Sequence, residues 1–84
     1  MSASKHLNKQ LFHGSSHVFE VGDTVVPGKD GAAWASTNPS VASSYGNNVY
    51  TVDPIGDATK HPGASKESGI HYSTTGYKVT GVHL

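Results

Sequence analysis

The chain contains no cysteine and no arginine. The first absence excludes a disulfide-stapled scaffold and any thiolate metal site. The second removes the bidentate forks that read phosphates and guanine edges. Six lysines balance six acidic residues, so formal net charge is zero. Without a basic excess, no nucleic-acid partner is expected. No apolar run approaches the roughly 18–20 residues of a membrane span, and no signal-peptide pattern is visible, so no membrane contact and a cytoplasmic location are expected. Leucine and isoleucine together number five, against nine valines and seven alanines. That balance favours strands over helices. The chain has 84 residues, enough for one domain with a thin core that buries roughly 60–65% of its unfolded surface. A homo-oligomer would add burial to such a core.

Local signals divide the chain into a lead-in over 1–10 and a single domain over 11–84. Leu11–His13 predicts a first short strand, followed by Gly14-Ser15. Val21-Gly22-Asp23 is a turn signal, and Pro27 to Gly31 reads as a loop. Ala32–Ser36 predicts a second strand carrying the only tryptophan, Trp34. Asn38-Pro39 combines an N-cap with the residue favoured at the first helical position. With Gly46 as a C-terminal cap, this predicts a helix over Pro39–Tyr45 that docks through Val41, Ala42 and Tyr45. Val49–Val52 predicts a third strand, closed by Asp53-Pro54-Ile55-Gly56. Residues 57–69 read as a long polar loop, of the kind that often carries function. Ile70–Ser73 and Tyr77–His83 predict two more strands. In the last of them Tyr77 and Val79 alternate with Lys78 and Thr80. A single short helix cannot supply βαβ crossovers, and G-x-G-x-x-G is absent, which excludes a doubly wound nucleotide fold. The expectation is an α+β unit: a small twisted, mainly antiparallel or mixed, split sheet with one short helix.

Six histidines stand in the sequence. His13-x3-His17 would share one face of a helix, as zinc-binding pairs do. Gly14, Ser15 and Ser16 between them disfavour that helix, and no acidic partner stands at ligand spacing, so no metal site is expected. His13 itself closes a short apolar run at the lip of a strand. Gly14 after it lets a ligand approach the backbone. The bland alternative is a strand-end histidine satisfied by backbone. Trp34 is equally suited to be the main core aromatic or a ligand platform. Tyr45 and Tyr50 are more often sheet and helix packing. Lys60 and Lys66 read as solvated loop charges.

Several ordered segments resemble the rifampin ADP-ribosyltransferase family. They are Leu11-Phe12-His13-Gly14-Ser15, Val21-Gly22-Asp23, Val49-Tyr50-Thr51-Val52-Asp53-Pro54-Ile55-Gly56, His61-Pro62-Gly63, His71-Tyr72-Ser73 and Tyr77-Lys78-Val79-Thr80-Gly81-Val82. The resemblance runs over about residues 11–83. It implies an ADP-ribosyltransferase-like split sheet that binds NAD. The family's active-site trio is a His, a Tyr and an Asp. The histidine carries over to His13, where the resemblance implies a contact to the nicotinamide-side ribose. Trp34 stands where the family has its tyrosine, and lacks the phenolic oxygen. The nearest acid is Asp57, on a stretch several residues shorter than in the family. Tyr72 is followed by Ser73-Thr74 where the family has an arginine.

Cleaving the nicotinamide–ribose bond builds positive charge on the sugar, which a carboxylate stabilises. Binding the nucleotide needs only an aromatic platform, hydrogen-bonding groups and a shaped pocket. His13, Gly14, Ser15, Trp34, Tyr45, Tyr72 and Ser73 are the candidates for that pocket. The leading expectation is a protein that binds NAD, ADP-ribose or an NAD-derived signalling nucleotide without turnover, in the manner of a phage-encoded sponge. The alternative is an active NAD-dependent ADP-ribosyltransferase in which Asp57 or Glu67 supplies the carboxylate. A protein-interaction module is a third class.

Overall fold

Valine-rich segments fold as strands wherever turn residues bracket them. The computed structural model describes residues 10–63 and 68–83. Over these, the chain runs β1 (Leu11–Ser15), β2 (Thr24–Val25), β3 (Ala33–Ser36), α1 (Pro39–Ala42), β4 (Asn48–Pro54), β5 (Thr59–Lys60), β6 (Ile70–Ser73) and β7 (Tyr77–Val82). The seven strands form one sheet in the order β2-β7-β4-β1-β3-β6-β5. Every neighbouring pair is antiparallel. The expected lead-in, apart from Gln10, lies outside the described residues, as do Lys66 and Glu67.

This architecture corrects the expected fold class. The molecule is a sheet-dominated unit rather than an α+β ADP-ribosyltransferase-like one, and its α-helix is four residues long. The physical reason is that, among the described residues, Asn38-Pro39 is the one α-helix start. The other connections hold turn residues instead. Gly22, for example, takes φ 99° in a turn where the Asp23 N–H donates to the Glu20 carbonyl at 2.9 Å.

The helix start follows the sequence rule. The Asn38 side chain accepts from the Ser40 N–H at 2.9 Å, and Pro39 opens the first turn. The rest departs from expectation. After Ala42 the chain tightens into a 3-10 turn over Ser43–Tyr45. Ser43 and Ser44 hydroxyls donate back to the Ser40 and Val41 carbonyls at 2.8 and 2.6 Å, offering the backbone an alternative to continued α-helix. Gly46 is extended at φ 170° rather than left-handed. It is needed for closeness: a Cβ there would lie 2.5 Å from the Ser16 nitrogen. Ala42 docks at 1% exposure, whereas Tyr45 stands 59% exposed, so Tyr45 is not part of the docking face.

The core lies on one face of the sheet. Leu11, Ala33, Ala35, Tyr50, Val52, Tyr77 and Val79 join Val25 there, with Phe19 and Ala58 packed against them. Cross-strand pairs Leu11–Val52 and His13–Tyr50 put these side chains on the same side. Gly14 and its partner Val49 face the opposite way, toward α1. The two edges, β2 and β5, are only two residues long, which limits edge-to-edge pairing.

Candidate functional site

Strands β1 and β3 pair at a single register, Phe12 with Ser36. Beyond it the ladder stops, and the His13 ring takes over. Its Nδ1 lies 2.7 Å from the Trp34 carbonyl oxygen. A carbonyl only accepts, so Nδ1–H donates and fixes the tautomer. Burial holds the His13 ring below its ordinary pKa, partly offset by the Trp34 bond. The neutral ring therefore presents Nε2 as an acceptor. A ligand hydroxyl would donate to it.

Where the strands part, a groove of about 620 Å³ opens. That size suits a small-molecule ligand. His13 and Gly14 of β1 form its floor, with Trp34 of β3 beside them and Tyr45 from the turn after α1. Val25, Val26, Gly28 and Ala32 contribute the wall leading into β3. That wall is a tight loop. The Gly28 N–H donates to the Ala32 carbonyl at 3.0 Å, and the Gly31 N–H to the Gly28 carbonyl at 2.9 Å. Asp30 fastens it to the sheet. Its Oδ2 accepts from the Trp34 indole Nε1–H at 3.0 Å and its Oδ1 from the Ala32 N–H at 3.2 Å. These bonds, the indole first, hold the Asp30 carboxyl below the ordinary carboxylate range.

Phe19 and His17 add an aromatic part to the lining. The Phe19 ring meets His17 at 4.6 Å, Tyr50 at 5.4 Å and His13 at 5.9 Å. Tyr50 ties this segment down: its hydroxyl accepts from the Phe19 N–H at 2.9 Å and donates to the His17 carbonyl at 3.3 Å. Trp34 is further braced by His61 and Tyr72, both with ring centroids 5.6 Å away.

Of the candidates read from sequence, the groove brings together His13, Gly14, Trp34 and Tyr45. It does not bring in the others. Ser15 accepts from the His17 N–H at 2.9 Å and serves the turn after β1. Tyr72 supports Trp34 without lining the groove. Ser73 is fully buried; its hydroxyl accepts from the Gly76 and Thr75 N–H groups at 2.9 and 3.1 Å and shapes the β6–β7 turn. Asp57 belongs to the same turn, where Thr74 and Thr75 hydroxyls donate to it at 3.2 and 3.1 Å. Both side chains are engaged within the β6–β7 turn, Ser73 by backbone groups and Asp57 by threonine hydroxyls, and neither reaches the groove. His17, Phe19, Val25, Val26, Gly28 and Ala32 line the groove without having been singled out for it. Phe19 sits in a segment with no period, and only its aromatic neighbours His17 and Phe12-His13 hint at a cluster.

No Asp or Glu stands among the groove-lining residues. Among the described residues, no three His, Asp or Glu side chains converge as a metal site would require. No helix among them is long and apolar enough to cross a membrane. Comparison with known proteins finds no matching family model and no matching curated protein.

Proposed function

We propose that the groove binds the nucleoside end of an NAD-type nucleotide, such as NAD, ADP-ribose or an NAD-derived signalling nucleotide, without breaking it. One observation carries this reading: aromatic walls and a fixed histidine acceptor meet in a groove of about 620 Å³ that no carboxylate lines. A flat base or nicotinamide ring finds Trp34, Tyr45 and Phe19, and a ribose hydroxyl finds Nε2 of His13. Stabilising positive charge on the sugar would need a carboxylate at the bond that breaks. Asp57 is committed to the β6–β7 turn. Asp30 accepts from the Trp34 indole and does not line the groove.

Calorimetric titration with NAD and with ADP-ribose tests the reading, with the nucleotide recovered afterwards and assayed for free nicotinamide. The expected result is saturable binding, intact nucleotide, and affinity about tenfold weaker in His13→Ala, the loss of one hydrogen bond. Absence of binding by both nucleotides overturns the reading. Nicotinamide release that survives purification and disappears in Asp57→Ala overturns binding without turnover, and ADP-ribose found on an acceptor hydroxyl rather than on water would then establish the transferase.

A further inference from the structure

Asp30 touches neither the groove nor the core, yet both of its oxygens are occupied. One holds the loop that forms a groove wall; the other holds the indole of the adjoining wall. We propose that Asp30 is a positioning residue that locks the 26–32 loop and Trp34 together and so sets the shape of the groove. The affinity part of this inference rests on the nucleotide reading above; the part concerning Trp34 does not.

The geometry separates the two bonds. The Ala32 N–H to Oδ1 bond closes a local turn that an asparagine oxygen can also close. The indole N–H to Oδ2 bond needs a second acceptor on the same side chain. Asparagine places an NH2 there, which meets the indole donor with donors of its own. Asp30→Asn therefore keeps the loop turn and releases Trp34. Asp30→Ala releases both. His61 and Tyr72 brace the indole on its other side, so a released ring still has partners and the sheet stays folded. Nothing else among the described residues bonds the indole nitrogen.

Trp34 is the only tryptophan, so fluorescence excited at the red edge of indole absorption, where the four tyrosines do not absorb, reports on this side chain alone. In Asp30→Asn the emission spectrum shifts and acrylamide quenching increases. Hydrogen exchange at the Ala32 amide stays slow in Asp30→Asn and speeds up in Asp30→Ala. The melting temperature moves by no more than about 3 °C, as for other surface substitutions. A wall in place about one-fifth of the time lowers apparent affinity for NAD about fivefold. Unchanged emission and quenching in both variants overturn the proposal. So does shifted emission with unchanged NAD affinity, because Asp30 would then hold Trp34 without shaping the groove. Should the wild-type protein bind no NAD, the nucleotide reading falls. The positioning role is then decided by quenching: unchanged quenching in Asp30→Ala refutes it, and increased quenching with a slow-to-fast change at Ala32 upholds it.

Discussion

The sharpest test of the fold is the substitution Gly14→Ala. Helix α1 is too short to be stable alone, so it persists only by lying against β1. Gly14 is where it lies. A Cβ added there would fall on the Ala42 carbonyl oxygen and 2.6 Å from its carbonyl carbon. The obstacle is backbone, so no side chain can rotate away. Overpacking of this kind costs about 1–3 kcal/mol, and backbone meeting backbone belongs at the upper end, about 3 kcal/mol. A domain of this length has total stability of roughly 4–13 kcal/mol. With a slope of about 4–8 °C per kcal/mol, the melting temperature falls by about 12–24 °C. Circular dichroism during thermal and urea unfolding measures this. Gly22→Ala is the control, since Gly22 has φ 99° but open space around it. That variant bears only left-handed strain, about 1–2 kcal/mol. A Gly14→Ala protein that melts no lower than Gly22→Ala refutes the claim that α1 is seated on a missing side chain.

Three further outcomes are expected. The Tyr77 hydroxyl is buried with no hydrogen-bond partner, and burial together with the nearby Asp57 charge raises its pKa. Tyr77→Phe removes an unsatisfied group, so urea unfolding should show unchanged stability or a gain of about 1 kcal/mol; a loss of that size would mean the hydroxyl is satisfied. Asp57→Ala should lower stability by about 1 kcal/mol through the lost threonine bonds while leaving NAD affinity within about twofold, read by unfolding and calorimetry on the same sample. His13 has a depressed folded pKa, so the unfolded chain binds the proton more readily. Its contribution is full above the ordinary value of 6.5 and is lost as pH falls through the lower folded value. The difference in stability between wild type and His13→Gln should therefore shrink as pH falls from 6.5 toward the lower folded value and level off beneath it, and a difference independent of pH would show that His13 is not desolvated.

What could be read from residues alone was whatever depends on near neighbours. The Asn38-Pro39 cap holds because both of its signals act within one turn. Tyr77 and Val79 lie buried between exposed Lys78 and Thr80 because strand alternation is local. The 16–23 segment has no period to read. It is placed by Tyr50, a residue 31 positions from Phe19. The groove was equally hidden, because it exists only where β1 and β3 stop pairing after one register. Gly14 shows the limit most clearly. Its lack of a side chain reads as room for a ligand, and it does line the groove. The direction its Cβ would take, however, is filled by the Ala42 carbonyl. Alternation along β1 explains both facts: His13 is turned toward the core face and the parting of the strands, and Gly14 toward the helix. One short segment therefore anchors α1 and presents the histidine. A change at Gly14 that unseats the helix should also move Tyr45, which follows that helix into the groove wall. Loss of ligand binding in Gly14→Ala would then report displaced walls and not a lost contact, and only His13→Ala isolates the contact itself.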